Sequence, residues 1–236
     1  MIKRLFRSAN YHTRKILFDK FALPKTVNEK ISKVLLKKYL PANPVIIDCG
    51  AHDGSDSVEL ARLFKKATIH SFEPVDMLFE KLNAHTGSFQ NIHTYQLALS
   101  NTNGWSEFHV SEGESDGSSS LLQPLEHLKD HPDTKFNTTI KVKTNTLDDW
   151  AAENNISHVD LLWLDMQGFE FNMLKVSSSI LPTVKVIHTE VSTRETYKAV
   201  ALYAEYRSFL EQQGFKVVIE AIPKGWDMGN VLFVRK

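Results

Sequence analysis

Several things are missing from this 236-residue chain. It has one cysteine, Cys49, so no internal disulfide can form, and a reducing cytoplasm is the expected setting. No apolar run approaches the ~20 residues of a membrane span. Arg4, Arg7, Arg14 and Lys15 interrupt the N-terminal apolar residues, so a secretory-signal pattern is lacking. The eight histidines other than His52 and His188 show no metal-ligand spacing, so no metal ligand is assigned and the need for a divalent metal stays open. His12, His70, His85, His93, His109, His127, His131 and His158 read as surface or edge residues. The dinucleotide fingerprint G-x-G-x-x-G is absent, which argues against an NAD-dependent oxidoreductase.

Net charge is also lacking, but only as a sum. Residues 1–40 hold eleven Lys and Arg against Asp19 and Glu29, a balance of +9, so the remainder carries −9. This segment reads as a basic helical arm (1–40) ahead of one α/β domain (41–236). Interleaved Ile2, Leu5, Phe6, Ile16, Leu17, Phe18, Phe21 and Leu23 would let it lie on an anionic membrane surface. The alternatives are packing on its own acidic domain or on a second subunit, as in a homo-oligomer. Nucleic acid is not expected as a partner, because the basic residues do not continue into the body of the chain.

The most informative stretch is Val45-Ile46-Ile47-Asp48-Cys49-Gly50-Ala51-His52-Asp53-Gly54. A buried strand runs into a turn bearing Gly50 and Gly54, and a helical pattern opens at Ser55. Strand, glycine turn and helix N-terminus together form a nucleotide-cofactor pocket. Asp48, Asp53 and Asp56 would repel a diphosphate but suit a cationic cofactor such as S-adenosylmethionine. Nineteen residues past Gly54, the run Ala67–Phe72 ends at Glu73, where a carboxylate can accept hydrogen bonds from ribose hydroxyls.

Periodicity predicts alternating strands and helices. A helix is expected near 27–39, broken by Pro41 and Pro44. Strands are expected at 45–49, 67–73, 91–99, 159–165 and 184–191, and helices at 55–66, 75–85, 169–176 and 195–213, the last ended by Gly214. Thr138–Thr146 alternates like an antiparallel edge strand, and Thr146 is placed to cap a helix at Leu147. Residues 111–120 are polar and read as a mobile loop, and Ser115–Leu121 reads either as a lid over the substrate or as a solvated linker. Apolar runs at 215–221 and 231–234 suggest a closing hairpin. The whole implies a doubly wound, mostly parallel Rossmann-like sheet with a C-terminal antiparallel hairpin.

Seven pieces in order resemble the FkbM family of methyltransferases: Ile47–Gly54; Phe72-Glu73-Pro74; Ala98-Leu99-Ser100; Ser119-Ser120-Leu121; Thr144–Asp148; Asp160–Glu170; and Glu190-Val191-Ser192. The resemblance covers about residues 44–236. It implies an S-adenosylmethionine-dependent O-methyltransferase acting on a small molecule or glycan. Three positions depart from the family pattern: His52 stands for the usual Asn, Trp163 for a basic residue, and Gln167 for the Glu of Asp-x-Glu-Gly.

The candidate cofactor-binding residues are Asp48, Gly50, Ala51, His52, Asp53, Gly54, Glu73, Pro74, Ala98 and Asp165. Asp165 ends the fourth strand and is the candidate base or substrate-orienting group. Glu190 and His188 are candidates for an acid–base or substrate pair, and Glu170 reads as a charge at a helix N-terminus. Because Gln167 cannot be a base, a catalytically silent cofactor-binding scaffold stands as the alternative.

Overall fold

The structure, a computed structural model, describes residues 11–113, 116–125 and 133–236. Helix α1 (Tyr11–Phe21) is followed by a small hairpin of β1 (Thr26–Val27) and β2 (Lys30–Ile31), then a 3-10 helix at Lys33–Lys38. The alternating part begins with β3 (Val45–Cys49), α2 (Ser55–Leu63), β4 (Thr68–Phe72), α3 (Asp76–Thr86) and β5 (Ile92–Tyr95). Then come β6 (Ala98–Ser100), β7 (Gly104–Gly113) and β8 (Thr134–Thr146). The chain closes with α4 (Leu147–Glu153), β9 (Leu161–Leu164), α5 (Glu170–Lys175), β10 (Val186–Ser192), α6 (Tyr203–Gln212), β11 (Phe215–Ala221) and β12 (Met228–Arg235).

Seven strands form one sheet in the order β11-β12-β10-β9-β3-β4-β5. The run from β10 to β5 is parallel, while β12 lies antiparallel to both of its neighbours. This is the expected doubly wound sheet with its closing hairpin. The parallel strands are apolar on both faces because helices cover both. On one face Ile47, Leu162, Leu164 and Ile187 pack with Trp150 of α4, Phe171 of α5 and Leu210 of α6. On the other, Ile46, Leu161, Trp163 and Val186 pack with Val58 and Leu60 of α2 and with Leu36 of the 3-10 helix. Ile31, Leu36 and Leu40 belong to that second core, so the end of the expected arm is built into the domain.

A second sheet, β6-β8-β7, branches off after β5. Here the structure differs from the sequence expectation in two ways. Residues 91–99 form two strands in two sheets, because the chain turns at Gln96-Leu97. Thr138–Thr146 belongs to a longer strand that is central, flanked by β6 and β7, and not an edge. Its alternation reflects one face packed against Val75 and Leu78 and one open face.

Two helices also differ. The expected helix at 27–39 is a hairpin turning at Asn28 (φ 52) followed by the 3-10 turn. The expected 195–213 helix begins only at Tyr203, since Glu195–Leu202 is irregular with Ala199 at φ 59. The Thr146 cap and the left-handed Gly214 (φ 86) stand as expected.

No helix among the described residues is long and apolar enough to cross a membrane. Met1–Asn10 of the arm, Glu114 and Ser115 of the polar loop, and His127 and His131 lie outside the described residues.

Candidate active site

The strand order reverses between β3 and β9, which makes their carboxyl ends a crevice. Cys49 pairs with Leu164, and the Asp165 N–H donates to the Cys49 carbonyl at 3.0 Å. Gly50 then turns away with φ 77, and a Cβ there would lie 1.9 Å from the Asp165 carbonyl oxygen. No other residue allows β9 to come so close. Gly50 and Ala51 N–H groups donate to the Phe72 carbonyl at 3.1 and 2.9 Å, folding the loop over the end of β4.

This bend encloses a cavity of about 320 Å³. Of the candidate residues, Gly50, Ala51, His52, Asp53, Glu73, Pro74, Ala98 and Asp165 line it. Glu73 is buried, and its two carboxylate oxygens accept from the His52 N–H at 3.1 Å and the Val75 N–H at 2.9 Å. Burial pushes its pKa up to about 7 against the opposing pull of those two amides. Both bonds leave a lone pair on each oxygen for a ligand hydroxyl. His52 adopts φ 50, and its Nε2 lies 3.1 Å from an Asp116 carboxylate oxygen, off the direction of a hydrogen bond.

Asp165 lies deep among protein atoms, yet its side chain faces the cavity and is exposed. The surrounding protein pushes its pKa up to about 6, opposed by a 2.7 Å hydrogen bond from Gln167. The water that still reaches it limits the energetic weight of that shift.

Four candidates stand elsewhere. Asp48 does not line the cavity; it is buried against α2, where it accepts from Ser57, whose hydroxyl also meets Ser71 at 2.6 Å. Burial, with Asp56 nearby, pushes Asp48 up to about 7. Gly54 (φ 82) precedes α2 and abuts α3: a Cβ there would lie 2.7 Å from Leu82.

His188 is stacked flat on Trp163 at 3.5 Å, away from the cavity lining, and burial lowers its pKa to about 3. It is therefore neutral at physiological pH and unsuited to donate a proton. Nor is it paired with Glu190: that carboxylate is half-buried and accepts from Gln167 at 3.0 Å. Glu170 is buried at the start of α5 and accepts from the Met166 N–H at 2.7 Å, as a helix N-terminus favours. His70, expected at the surface, is buried within an aromatic group of Tyr95 and Trp150.

The sequence reading missed the apolar half of the cavity. Phe72, Leu97, Leu99 and Phe108 form one wall, while Ser119 and Leu121 close another. Phe108 reaches the site only because the β6-β8-β7 sheet lies over it. The cavity is thus apolar where a base ring would stack and acidic elsewhere, with Asp53, Asp56, Glu73 and Asp165 on its lining. That donor set fits a cationic, phosphate-free nucleoside better than a dinucleotide.

A doubly wound sheet with this strand order and an acidic crevice at its switch point defines a methyltransferase of the Rossmann-like class. The chain matches the model of the "Methyltransferase FkbM domain" over residues 48–217, and it belongs to that family. It is 32% identical over 212 residues to the 2-O-methyltransferase NoeI of Sinorhizobium fredii, covering 88% of this chain and 86% of that protein. A second relative, the methyltransferase sdnD of Sordaria araneosa, is 22% identical over 222 residues, covering 84% and 83% of the two chains. Among solved structures, a methyltransferase FkbM from Methylobacillus flagellatus KT superposes with a TM-score of 0.49 at 13% identity, over 82% of this chain and 44% of that one. The protein is a methyltransferase, and the donor its class uses is S-adenosylmethionine.

Glu73→Ala is expected to weaken binding of S-adenosylhomocysteine by about 1–3 kcal/mol, the cost of stripping a charged acceptor from ribose hydroxyls. Calorimetry checks this, and unchanged affinity would remove Glu73 from the donor site.

The raised carboxyls also set a pH dependence. Asp48, Glu73 and Glu170 rise from 3.8 or 4.5 to about 7 on folding. Each binds its proton more tightly in the folded chain, so its contribution is complete below about pH 4 and is lost as pH rises through about 7. The melting temperature of the ligand-free protein is expected to fall between about pH 5 and 7.5, and Glu73→Gln to flatten that fall. A melting temperature that climbs across this window would contradict the assignment.

Proposed function

We propose that the protein transfers a methyl group from S-adenosylmethionine to a hydroxyl of a sugar or another polyhydroxylated small molecule. The observation that carries this reading is Asp165: a carboxylate at the switch point, open to the cavity, on the strand end that faces the donor loop. When bound, the donor supplies an electrophilic methyl carbon and departs as a neutral thioether. Everything else falls to the chain.

Glu73 accepts the ribose hydroxyls, and the backbone turn from Gly50 to Asp53 holds the amino-acid end of the donor. Pro74 and Ala98 border the base, with Leu97, Leu99 and Phe108 as its apolar wall. Asp165 accepts the proton of the attacking hydroxyl and orients its oxygen along the line of displacement. Asp165, Asp56, Asp53 and Ser119, all on the cavity lining, offer polar groups that suit several hydroxyls on one molecule. The relation to a 2-O-methyltransferase supports oxygen as the methylated atom.

Donor with a labelled methyl group, incubated with a panel of methyl glycosides and small polyols, tests the reading. Label recovered as a methyl ether supports it. Tight binding of S-adenosylhomocysteine with no labelled product from any acceptor would favour the silent scaffold.

A further inference from the structure

Gln167 departs from the sequence pattern of the family, and nothing in the chemistry above requires it. Yet it is among the most fully engaged side chains near the cavity. It is 9% exposed and adopts φ 51, a left-handed conformation that a glutamine takes up at a cost. Its Nε2 donates to Asp165 Oδ1 at 2.7 Å and to Glu190 Oε2 at 3.0 Å. Its Oε1 lies 3.1 Å from the Tyr197 hydroxyl, which is 2.8 Å from the Ser118 carbonyl. Its own carbonyl accepts from Ser120 Oγ at 2.8 Å. Both amide hydrogens thus have acceptors, the backbone oxygen has a donor, and Oε1 shares the single Tyr197 hydroxyl proton with the nearer Ser118 carbonyl.

Those partners belong to four different parts of the molecule. Asp165 follows β9, and Glu190 stands on β10. Ser118 and Ser120 flank Ser119 in the segment whose Gly117, Ser119 and Leu121 close the donor cavity. Tyr197 is wholly buried and lies in the irregular stretch before α6. One carboxamide therefore touches the base, a neighbouring carboxylate and Tyr197, which in turn meets the cover of the donor site. Two carboxylates brought this close repel each other unless a donor lies between them. An amide with two N–H groups meets that need, whereas a glutamate in the same place would add a third negative charge.

We propose that Gln167 is the positioning residue of this site: its carboxamide fixes the orientation of Asp165 and Glu190 and links them, through Tyr197, to the segment that closes the donor cavity. The role rests on the reading of Asp165 as the proton acceptor. With its inner oxygen held by Gln167, Asp165 keeps its other oxygen for the acceptor hydroxyl. Besides each other, Asp165 and Glu190 face Asp56 of α2, His52 of the β3 loop, Asp48 of β3, Glu73 after β4, Glu170 of α5, Glu29 of the β1–β2 turn and the Tyr197 hydroxyl. None of them supplies a hydrogen bond to either carboxylate, so Gln167 is the donor whose removal should be felt.

The test compares the full chain with Gln167→Glu and Gln167→Met, both close in length to glutamine, and with Asp165→Asn. In the complex with S-adenosylhomocysteine, ¹³C-carboxyl NMR follows the titration of Asp165, assigned by its loss in Asp165→Asn. The midpoint is expected to move up by one pH unit or more in Gln167→Glu and by less in Gln167→Met. With an acceptor from the glycoside panel, the acid limb of the pH–rate profile should move by the same amount, and kcat should fall more than KM rises.

An unmoved midpoint in both variants would overturn the positioning role while leaving Asp165 in place. An Asp165→Asn variant that retains full activity would overturn the reading of Asp165 instead, and the positioning role with it. If Gln167→Glu does not fold, Gln167→Met decides the question alone.

Discussion

Asp165→Asn is expected to lower methyl transfer about 10²–10⁴-fold, the usual contribution of a positioned proton acceptor. Asparagine keeps the size of the side chain, and its amide oxygen can still meet Gln167. The change removes only the ability to take a proton and the negative charge facing the cavity. Binding of S-adenosylhomocysteine should therefore stay within about threefold of the parent protein, because Glu73 and the Gly50–Asp53 turn are untouched. Single-turnover rates with labelled donor, read beside calorimetry, separate the two effects. A variant that lost donor binding and transfer in parallel would make Asp165 a donor ligand and not a base.

Gly50→Ala carries the largest expected cost to the fold. The added methyl would have to occupy space 1.9 Å from the Asp165 carbonyl oxygen, which is backbone and cannot swing aside. The turn would also have to hold alanine at φ 77, a strain of about 1–2 kcal/mol on its own. Relief requires β3 and β9 to separate at the crevice, and that breaks the Asp165-to-Cys49 backbone bond. A loss of about 4 kcal/mol or more is expected, which for a chain of this size is a fall in melting temperature of about 8–16 °C. Thermal unfolding followed by circular dichroism measures it. A variant within about 2 °C of the parent would show that the two strand ends do not meet as described.

Much of this architecture was legible from residue pattern. The strands β3, β4, β9 and β10 are rich in apolar residues because the sheet is covered on both faces, and their alternation with helices pointed to a parallel, doubly wound core. Gly50, Glu73 and Asp165 could be singled out because each stands just past a strand end, where such sheets bind ligands. Asp48 and His188 were misplaced for a reason the sequence did contain. Alternation along β3 puts Asp48 on the face of Ile46, against α2, and along β10 it puts His188 with Val186, beside Trp163.

Other features had no local signal. Two-residue strands such as Thr26–Val27 have no period to detect, and the helical look of 27–39 comes from a short 3-10 turn packed by Leu36. Phe108 enters the cavity only through the placement of a second sheet. Gln167 stood out as a departure, but its links to β9, β10 and the Ser118–Ser120 segment exist only in three dimensions.

Titration of the protein with S-adenosylhomocysteine by calorimetry, in the parent and in Glu73→Ala, bears most directly on the central claim that the bend after β3 and Glu73 hold the methyl donor. The expected result is one site per chain in the parent and an affinity lower by about fivefold or more in the variant. Absence of heat in the parent at millimolar ligand, or equal affinity in both proteins, would contradict it.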